Sequence, residues 1–165
     1  MILVGIGSNL AGAGYKSPLQ TAAAALDELP KIGIEVLRRS QWYLSEPVPV
    51  SDQPWFVNGV IAANTEFGPE PLLERLLDLE TRFGRVRGER NAARALDLDL
   101  LNYEGRLCAT QRLVLPHPRL HERRFVLAPL CEIAPQWRHP RLDSTAEELL
   151  ARLPAGQPIR VYRET

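Results

Sequence analysis

Arg94-Ala95-Leu96-Asp97-Leu98-Asp99-Leu100-Leu101 is the stretch on which the reading of this chain turns. Leucines at 96, 98 and 100 alternate with aspartates at 97 and 99, and a period of two is a strand signature. Residues i and i+2 of a strand share a face, so Asp97 and Asp99 project together, with Cα atoms roughly 7 Å apart. The leucine face must be buried. Two carboxylates side by side repel each other, and one tends to stay protonated unless a cation sits between them. A hard divalent ion such as Mg²⁺ meets that need, because it takes oxygen ligands and often binds through one or two carboxylates plus substrate phosphates. The plainer alternative is a half-exposed strand whose outer face happens to be acidic.

The surroundings weigh against the plainer alternative. From Gly84 to Arg94 the chain carries four arginines and one acid, with no helical or strand period. A charge-rich loop is usually just solvated. Placed directly before two metal-type aspartates, this one reads as a cradle for a polyphosphate, with arginine forks and metal sharing the oxygens. The 165 residues fit one domain with a real core. Acidic and basic residues balance to a net charge of zero, which argues against nucleic acid or membrane as the main partner. Cys108 and Cys131 lack metal-ligand spacing and read as reduced, core-type residues. Met1-Ile2-Leu3-Val4 leads straight into glycines, so neither a signal peptide nor a membrane span is expected, and a cytoplasmic home fits.

Working outward, Ile2 to Gly7 reads as a buried strand ending in Gly7-Ser8-Asn9. That ending could be a phosphate loop, but it lacks the P-loop lysine and spacing, so the glycines are taken as structural. Ser17-Pro18 starts a helix with the stripe Leu19, Ala22, Ala23, Leu26 and Leu29, stopped by Pro30. Ile32 to Tyr43 is expected to form one strand. A stiff proline-rich loop follows from Ser45 to Pro54, then a strand from Phe56 to Ala63. Asn58 sits inside that apolar run and must find partners, as a structural clamp or as a ligand reader. Pro69 opens a second helix with Leu72, Leu73, Leu76, Leu77 and Phe83 on its core side, and Gly84 ends it.

Beyond the aspartates, Arg112 to Pro118 is extended and closes on His117, held between two prolines. Arginines precede and follow it, which favours a functional over a purely structural histidine. Phe125 to Ile133 reads as a short helix. Ser144 and Glu147 read as the capping box of a last helix over Leu149, Leu150 and Leu153. The order strand, helix, strand, strand, helix, strand is an α+β, ferredoxin-like βαββαβ core with added C-terminal loops and helices.

These pieces together resemble the 6-hydroxymethyl-7,8-dihydropterin pyrophosphokinase family. The resemblance runs from Gly7-Ser8-Asn9-Leu10 to Phe125-Val126-Leu127-Ala128-Pro129-Leu130-Cys131-Glu132-Ile133-Ala134-Pro135. Its most specific parts are Gly84-Arg85-Val86-Arg87, then Arg94 with the Asp97 and Asp99 strand, then Leu115-Pro116-His117-Pro118-Arg119 with Arg123 and Phe125. It implies transfer of the terminal pyrophosphate of ATP to the pterin hydroxymethyl group, with release of AMP, on two Mg²⁺ ions held by Asp97 and Asp99. It implies that Arg94, Arg112, His117 and Arg123 face the triphosphate, and that Arg85 and Arg87 belong to a loop closing over it. Leu77, Glu80 and Leu100 then match positions near the nucleotide. Asn58 matches the amide that reads the pterin edge, Ser45 and Val48 its backbone contacts, and Phe56 and Phe125 its ring pocket. Asp97 also meets the substrate. The implied partners are the two small molecules, with the chain acting as a monomer. The family commonly carries Trp-Gly-Pro-Arg before the aspartates, where this chain has Asn91-Ala92-Ala93-Arg94.

Two other classes compete. Nucleotidyltransferases also pair a Gly-Ser motif with D-x-D, but their motifs lie close together, whereas Gly7-Ser8 and Asp97 are about ninety positions apart. A ferredoxin-like RNA-binding module would want exposed sheet aromatics and a basic balance. This chain has leucine-rich strands and acids that repel phosphate without a metal.

Overall fold

The computed structural model describes residues 1–86, 88 and 92–163. Its elements in chain order are β1 (Ile2–Ser8), α1 (Pro18–Glu28), β2 (Glu35–Arg39), β3 (Tyr43–Ser45), β4 (Phe56–Asn64) and α2 (Pro69–Arg82). There follow β5 (Asp97–Tyr103), β6 (Cys108–Ala109), β7 (Val114–Leu115), α3 (Arg124–Ile133), α4 (Ala146–Arg152) and β8 (Ile159–Val161). The main sheet runs β5-β1-β4-β3-β8, with β2 also on β4, and the pairings are antiparallel. The expected ferredoxin-like core is therefore present, with β5 and β4 flanking β1.

Side-chain alternation splits the sheet into two faces. Val4, Ile6, Leu98 and Leu100 meet α1 and α2 through Ala22, Leu26, Leu72, Leu76 and Leu79. Leu3, Val60, Ala62 and Leu101 meet α3 and α4 through Val126, Leu127, Leu130 and Leu149. The leucine face of the Asp97 strand is buried as expected. Asp97 and Asp99 lie on the opposite face in phase with Leu101, so they look toward α3.

Four local expectations need correction. The strand expected over Ile32 to Tyr43 is two strands, and Ile32 belongs to a 3₁₀ turn, Leu29–Ile32, that continues α1 past Pro30. Gly33 at φ 88° ends that turn, a backbone shape that glycine adopts freely. The break between β2 and β3 comes at Ser40, whose hydroxyl accepts the Val60 N–H, so the side chain replaces a ladder partner. The capping box sits one residue later than expected: Thr145 Oγ1 accepts the Glu148 N–H at 3.1 Å, and the Glu148 carboxylate answers the Thr145 N–H. Ser144 instead accepts a hydrogen bond from Arg152. The core stripe of α2 is also rotated, with Leu79 and Glu80 buried and Leu73 and Leu77 only half-buried. Glu80 is thereby turned toward β5. Sequence periodicity did not foresee β6 and β8.

The Asp97 strand depends on its leucines for position. Leu98→Ala should cost about 2–5 kcal/mol, read as a lower urea midpoint at unchanged slope. A loss under 0.5 kcal/mol would contradict the packing described for β5.

Candidate active site

Four strand positions on the α3 face make the floor of the site. Phe56 and Asn58 come from β4, Gly7 from β1 and Asp97 from β5. Gly7 pairs with Asn58 on one side and Asp97 on the other. Neighbouring strands lie about 4.8 Å apart, so Asn58 and Asp97 stand about 10 Å apart across a residue with no side chain. A Cβ at Gly7 would come within 3.0 Å of Asn58 Oδ1 and 3.9 Å of a Phe56 ring carbon. Glycine therefore keeps this floor flat. Asn58 is buried and donates to the Ser45 hydroxyl.

Ser45, Val48 and their neighbouring prolines form one wall above this floor, and Phe125 forms another. The cavity measures about 350 Å³, and Arg94, Asp97 and Arg123 line it too. One end offers an amide, the middle aromatic and aliphatic surface, the other end charge. Such a cavity suits a flat heterocycle with a polar edge.

The charged end is a balanced cluster. Arg85 Nη1 meets both oxygens of Glu80 and also Asp97 Oδ1, the latter at 2.9 Å. Arg94 Nη1 donates to Asp97 Oδ2 at 3.1 Å. Arg123 Nη1 stands 3.8 Å from Asp99 Oδ2. Burial raises the Glu80 carboxyl to about 7, with Arg85 pulling it back and Asp97 adding to the rise. The facing acids raise the pKa of Arg85 despite its burial. Burial outweighs pairing for Glu80, yet both its oxygens meet one guanidinium, and that contact is an ion pair. Asp99 is pushed up by burial first and then by Asp97, against the pull of Arg123. His117 is held down at about 4, by burial and then by Arg123. Its Nδ1 accepts the Arg119 N–H at 3.1 Å, so the proton of the neutral ring sits on Nε2. At pH 7 this histidine is a neutral donor.

The remaining expected residues are placed less uniformly. Leu77 is half-buried on α2, three positions before Glu80. The Leu100 side chain is in the core beneath α1 and α2, so a nucleotide could meet only its backbone. Arg112 is not brought to the cluster: the segment between β6 and β7 turns it toward α2, where it pairs with Glu74 at 3.1 Å. Arg87 and Asn91 lie outside the described residues.

Gly7 and Asn9, at the floor of the site and its edge, were not singled out by sequence. Gly7 was read as structural, although it forms the floor. Asn9 is buried at the end of β1 and fastens three segments. Its backbone N–H donates to Arg94 O, its Oδ1 accepts the Arg94 N–H at 2.7 Å, and its Nδ2 donates to Gln53 Oε1 and Pro54 O. The available signal was an amide directly after a buried strand, the same kind of signal that marked Asn58.

Residues 3–135 match the family of 7,8-dihydro-6-hydroxymethylpterin-pyrophosphokinase. The chain belongs to this family. It is 43% identical over 155 residues to the 2-amino-4-hydroxy-6-hydroxymethyldihydropteridine pyrophosphokinase of Methylorubrum extorquens, covering 93% of this chain and 94% of the relative. The enzyme of that name from Synechocystis is 40% identical over 152 residues, covering 92% and 75%. In three dimensions the chain is similar to Plasmodium falciparum HPPK-DHPS crystallised with SDX-DHP, at a TM-score of 0.65 and 13% identity. That comparison covers 92% of this chain but 43% of the larger one, and at this identity it speaks to the fold alone.

The carboxylates suit the metal chemistry of a pyrophosphokinase in one particular way. Among the described residues, no group of three or more His, Cys, Asp or Glu side chains could hold a metal ion by itself. Asp97 and Asp99 instead form an open pair, which fits Mg²⁺ when phosphate oxygens and water complete the shell. The guanidiniums that balance these acids are also the groups best shaped for phosphate.

A linkage measurement tests the crowding of these acids. Asp99 ionises near pH 4 when unfolded and at higher pH when folded. Wild type therefore loses stability as pH rises from about 4 through the raised folded value. Asp99→Asn has no such loss. Without metal, its melting temperature should exceed that of wild type by a few degrees at pH 8, and by less at pH 5. An equal difference at both values would contradict the raised Asp99.

Proposed function

We propose that the strip from Asn58 to Asp99 is where this pyrophosphokinase transfers pyrophosphate from ATP to the hydroxymethyl group of 6-hydroxymethyl-7,8-dihydropterin, a step of folate synthesis. The observation that carries this reading is a cavity with the Asn58 amide at one end and, at the other, Asp97 among arginines, one of which faces Asp99. Asn58 reads the polar edge of the pterin, the backbone at Ser45 and Val48 adds contacts, and Phe56 and Phe125 sandwich the ring. The hydroxymethyl arm then points at Asp97.

In the transfer, the hydroxymethyl oxygen bonds to the β-phosphorus of ATP. The bond from that phosphorus to the oxygen bridging to the α-phosphate breaks, and AMP leaves with the electron pair. The hydroxymethyl proton passes to the carboxylate of Asp97, which lines the cavity. Phosphoryl-type transfer needs mostly positioning and charge neutralisation. Asp97 and Asp99 would hold two Mg²⁺ ions, which when bound neutralise the phosphate oxygens. Arg85, Arg94 and Arg123 leave their carboxylates for the triphosphate, joined by Arg87, by Arg112 after release from Glu74, and by the His117 Nε2–H. Leu77, Glu80 and the Leu100 backbone lie on the nucleotide side.

This reading takes residues 1–165 as one catalytic domain, working as a monomer in the cytoplasm. Support comes from the half-buried free cysteines Cys108 and Cys131, which suit a reducing compartment. Among the described residues no helix is long and apolar enough to cross a membrane.

The test mixes protein, ATP, Mg²⁺ and the hydroxymethyl pterin and follows AMP. Wild type should release AMP only when the pterin is present, and Asp97→Ala should nearly abolish release while remaining folded. Near-normal turnover in Asp97→Ala would sink the reading. A second test addresses Arg94, whose backbone is fixed by Asn9. A preorganised donor of this kind is worth about 10²–10³ in the chemical step. Arg94→Ala should lose that factor in single-turnover kinetics, and Arg94→Lys should recover little, since a point charge does not replace a planar fork. A variant that changed only ATP affinity would remove Arg94 from the transition state.

A further inference from the structure

Part of the cavity wall comes from the C-terminal segment, which no step above uses. Leu153, Pro154, Gly156 and Gln157 line the cavity beside Ser45 to Pro49. The segment then becomes β8, which pairs with β3 so that Ile159 faces Ser45 and Arg160 faces Leu44.

Its attachments to the proline-rich loop fall at both ends of that loop. At the start, the Gln157 side chain donates to the Glu46 carbonyl at 2.8 Å, and the Glu46 N–H donates to the Pro158 carbonyl. At the end, the Arg160 guanidinium lies over the Trp55 ring, 5.6 Å from its centroid. The segment is itself tied down by Arg124 at the start of α3. One nitrogen of that guanidinium donates to Pro154 O at 3.1 Å and to Leu153 O at 3.4 Å. Arg124 stands between Arg123 and Phe125, so the same turn that presents a charge to Asp99 and a ring to the cavity also holds the wall.

We infer that Leu153–Val161 is a strap that presets the proline-rich loop for the flat substrate, and that Arg124 is the positioning residue that anchors it. The inference rests on the reading of this cavity as the pterin pocket. A loop of several residues loses conformational freedom when it closes on a ligand. Fixing both of its ends beforehand leaves less to lose on binding. Among the described residues no hydrogen bond or ion pair joins the strap to the Asp97 cluster, so its effect falls on one substrate and not on the other.

The experiment measures KM for each substrate separately in the intact, metal-loaded enzyme. Arg124→Ala should raise KM for the pterin about tenfold and leave KM for ATP within twofold. Arg124→Lys should recover most of the loss, because an ammonium can still reach the two carbonyls. Arg160→Ala removes a contact outside the cavity lining and should raise the pterin KM two- to fivefold, in line with an exposed cation–π pair. Asn58→Ala serves as the control for the cavity. If Asn58→Ala weakens pterin binding and neither Arg124→Ala nor Arg160→Ala does, the strap is wrong and the pocket stands. If Asn58→Ala leaves the pterin KM unchanged, the pocket reading is wrong and the strap falls with it. Equal rises in both KM values for Arg124→Ala would also overturn the strap, since they would report a general loss of structure.

Discussion

Like charges on one face of one strand are the constraint around which this protein is built. Asp97 and Asp99 share a face because strand geometry leaves no other choice. Their repulsion is countered by Arg94 from the strand entrance, Arg85 from the end of α2 and Arg123 from the start of α3. Each of these elements must be in register for the acids to be tolerated. The core leucines beneath β5 fix the strand, and the rotation of α2 that buries Glu80 gives Arg85 a second anchor. In this resting arrangement the cations occupy the carboxylates. Under the proposed function, polyphosphate and metal would offer these groups an exchange in which each charge keeps a partner.

The sheet supplies the second ingredient, distance. Three adjacent strands set an amide, a bare glycine and a carboxylate in a row. No loop determines that spacing; the hydrogen-bond ladder of β4, β1 and β5 does. The amide and the carboxylate, to which the proposed function gives the heterocycle and the phosphates, are therefore held in fixed relation.

Much of this was legible in the amino-acid order because the decisive patterns are local. The alternation at Leu96 to Leu100 announces its strand, its buried face and its acidic face at once. Asn58 declares itself as an amide in an apolar run. Other features are settled by tertiary contacts. Ser40 breaks a strand only because its hydroxyl finds the Val60 N–H across the sheet. Glu80 is buried because Arg85 and β5 meet it, which helical periodicity cannot express. Arg112 looked like one more phosphate-binding arginine, and its pairing with Glu74 depends on where a hairpin lands. The strand β8 is three residues long and has no period to read. Gly7 resembled any strand glycine until its two cross-strand neighbours were known.

The amide of Asn9 has a consequence for how the enzyme comes into being. Its partners Gln53 and Arg94 are 44 and 85 positions away in the chain. Contacts of such range close large loops and form after the chain entropy of those loops has been overcome. Asn9 can join them only when β1, β4 and β5 are already side by side. Arg94 is thus ordered by a junction of long sequence range, and a chain still missing its fifth strand has no means of holding that arginine in place. The order of Arg94 is therefore a property of the assembled sheet and not of its own segment.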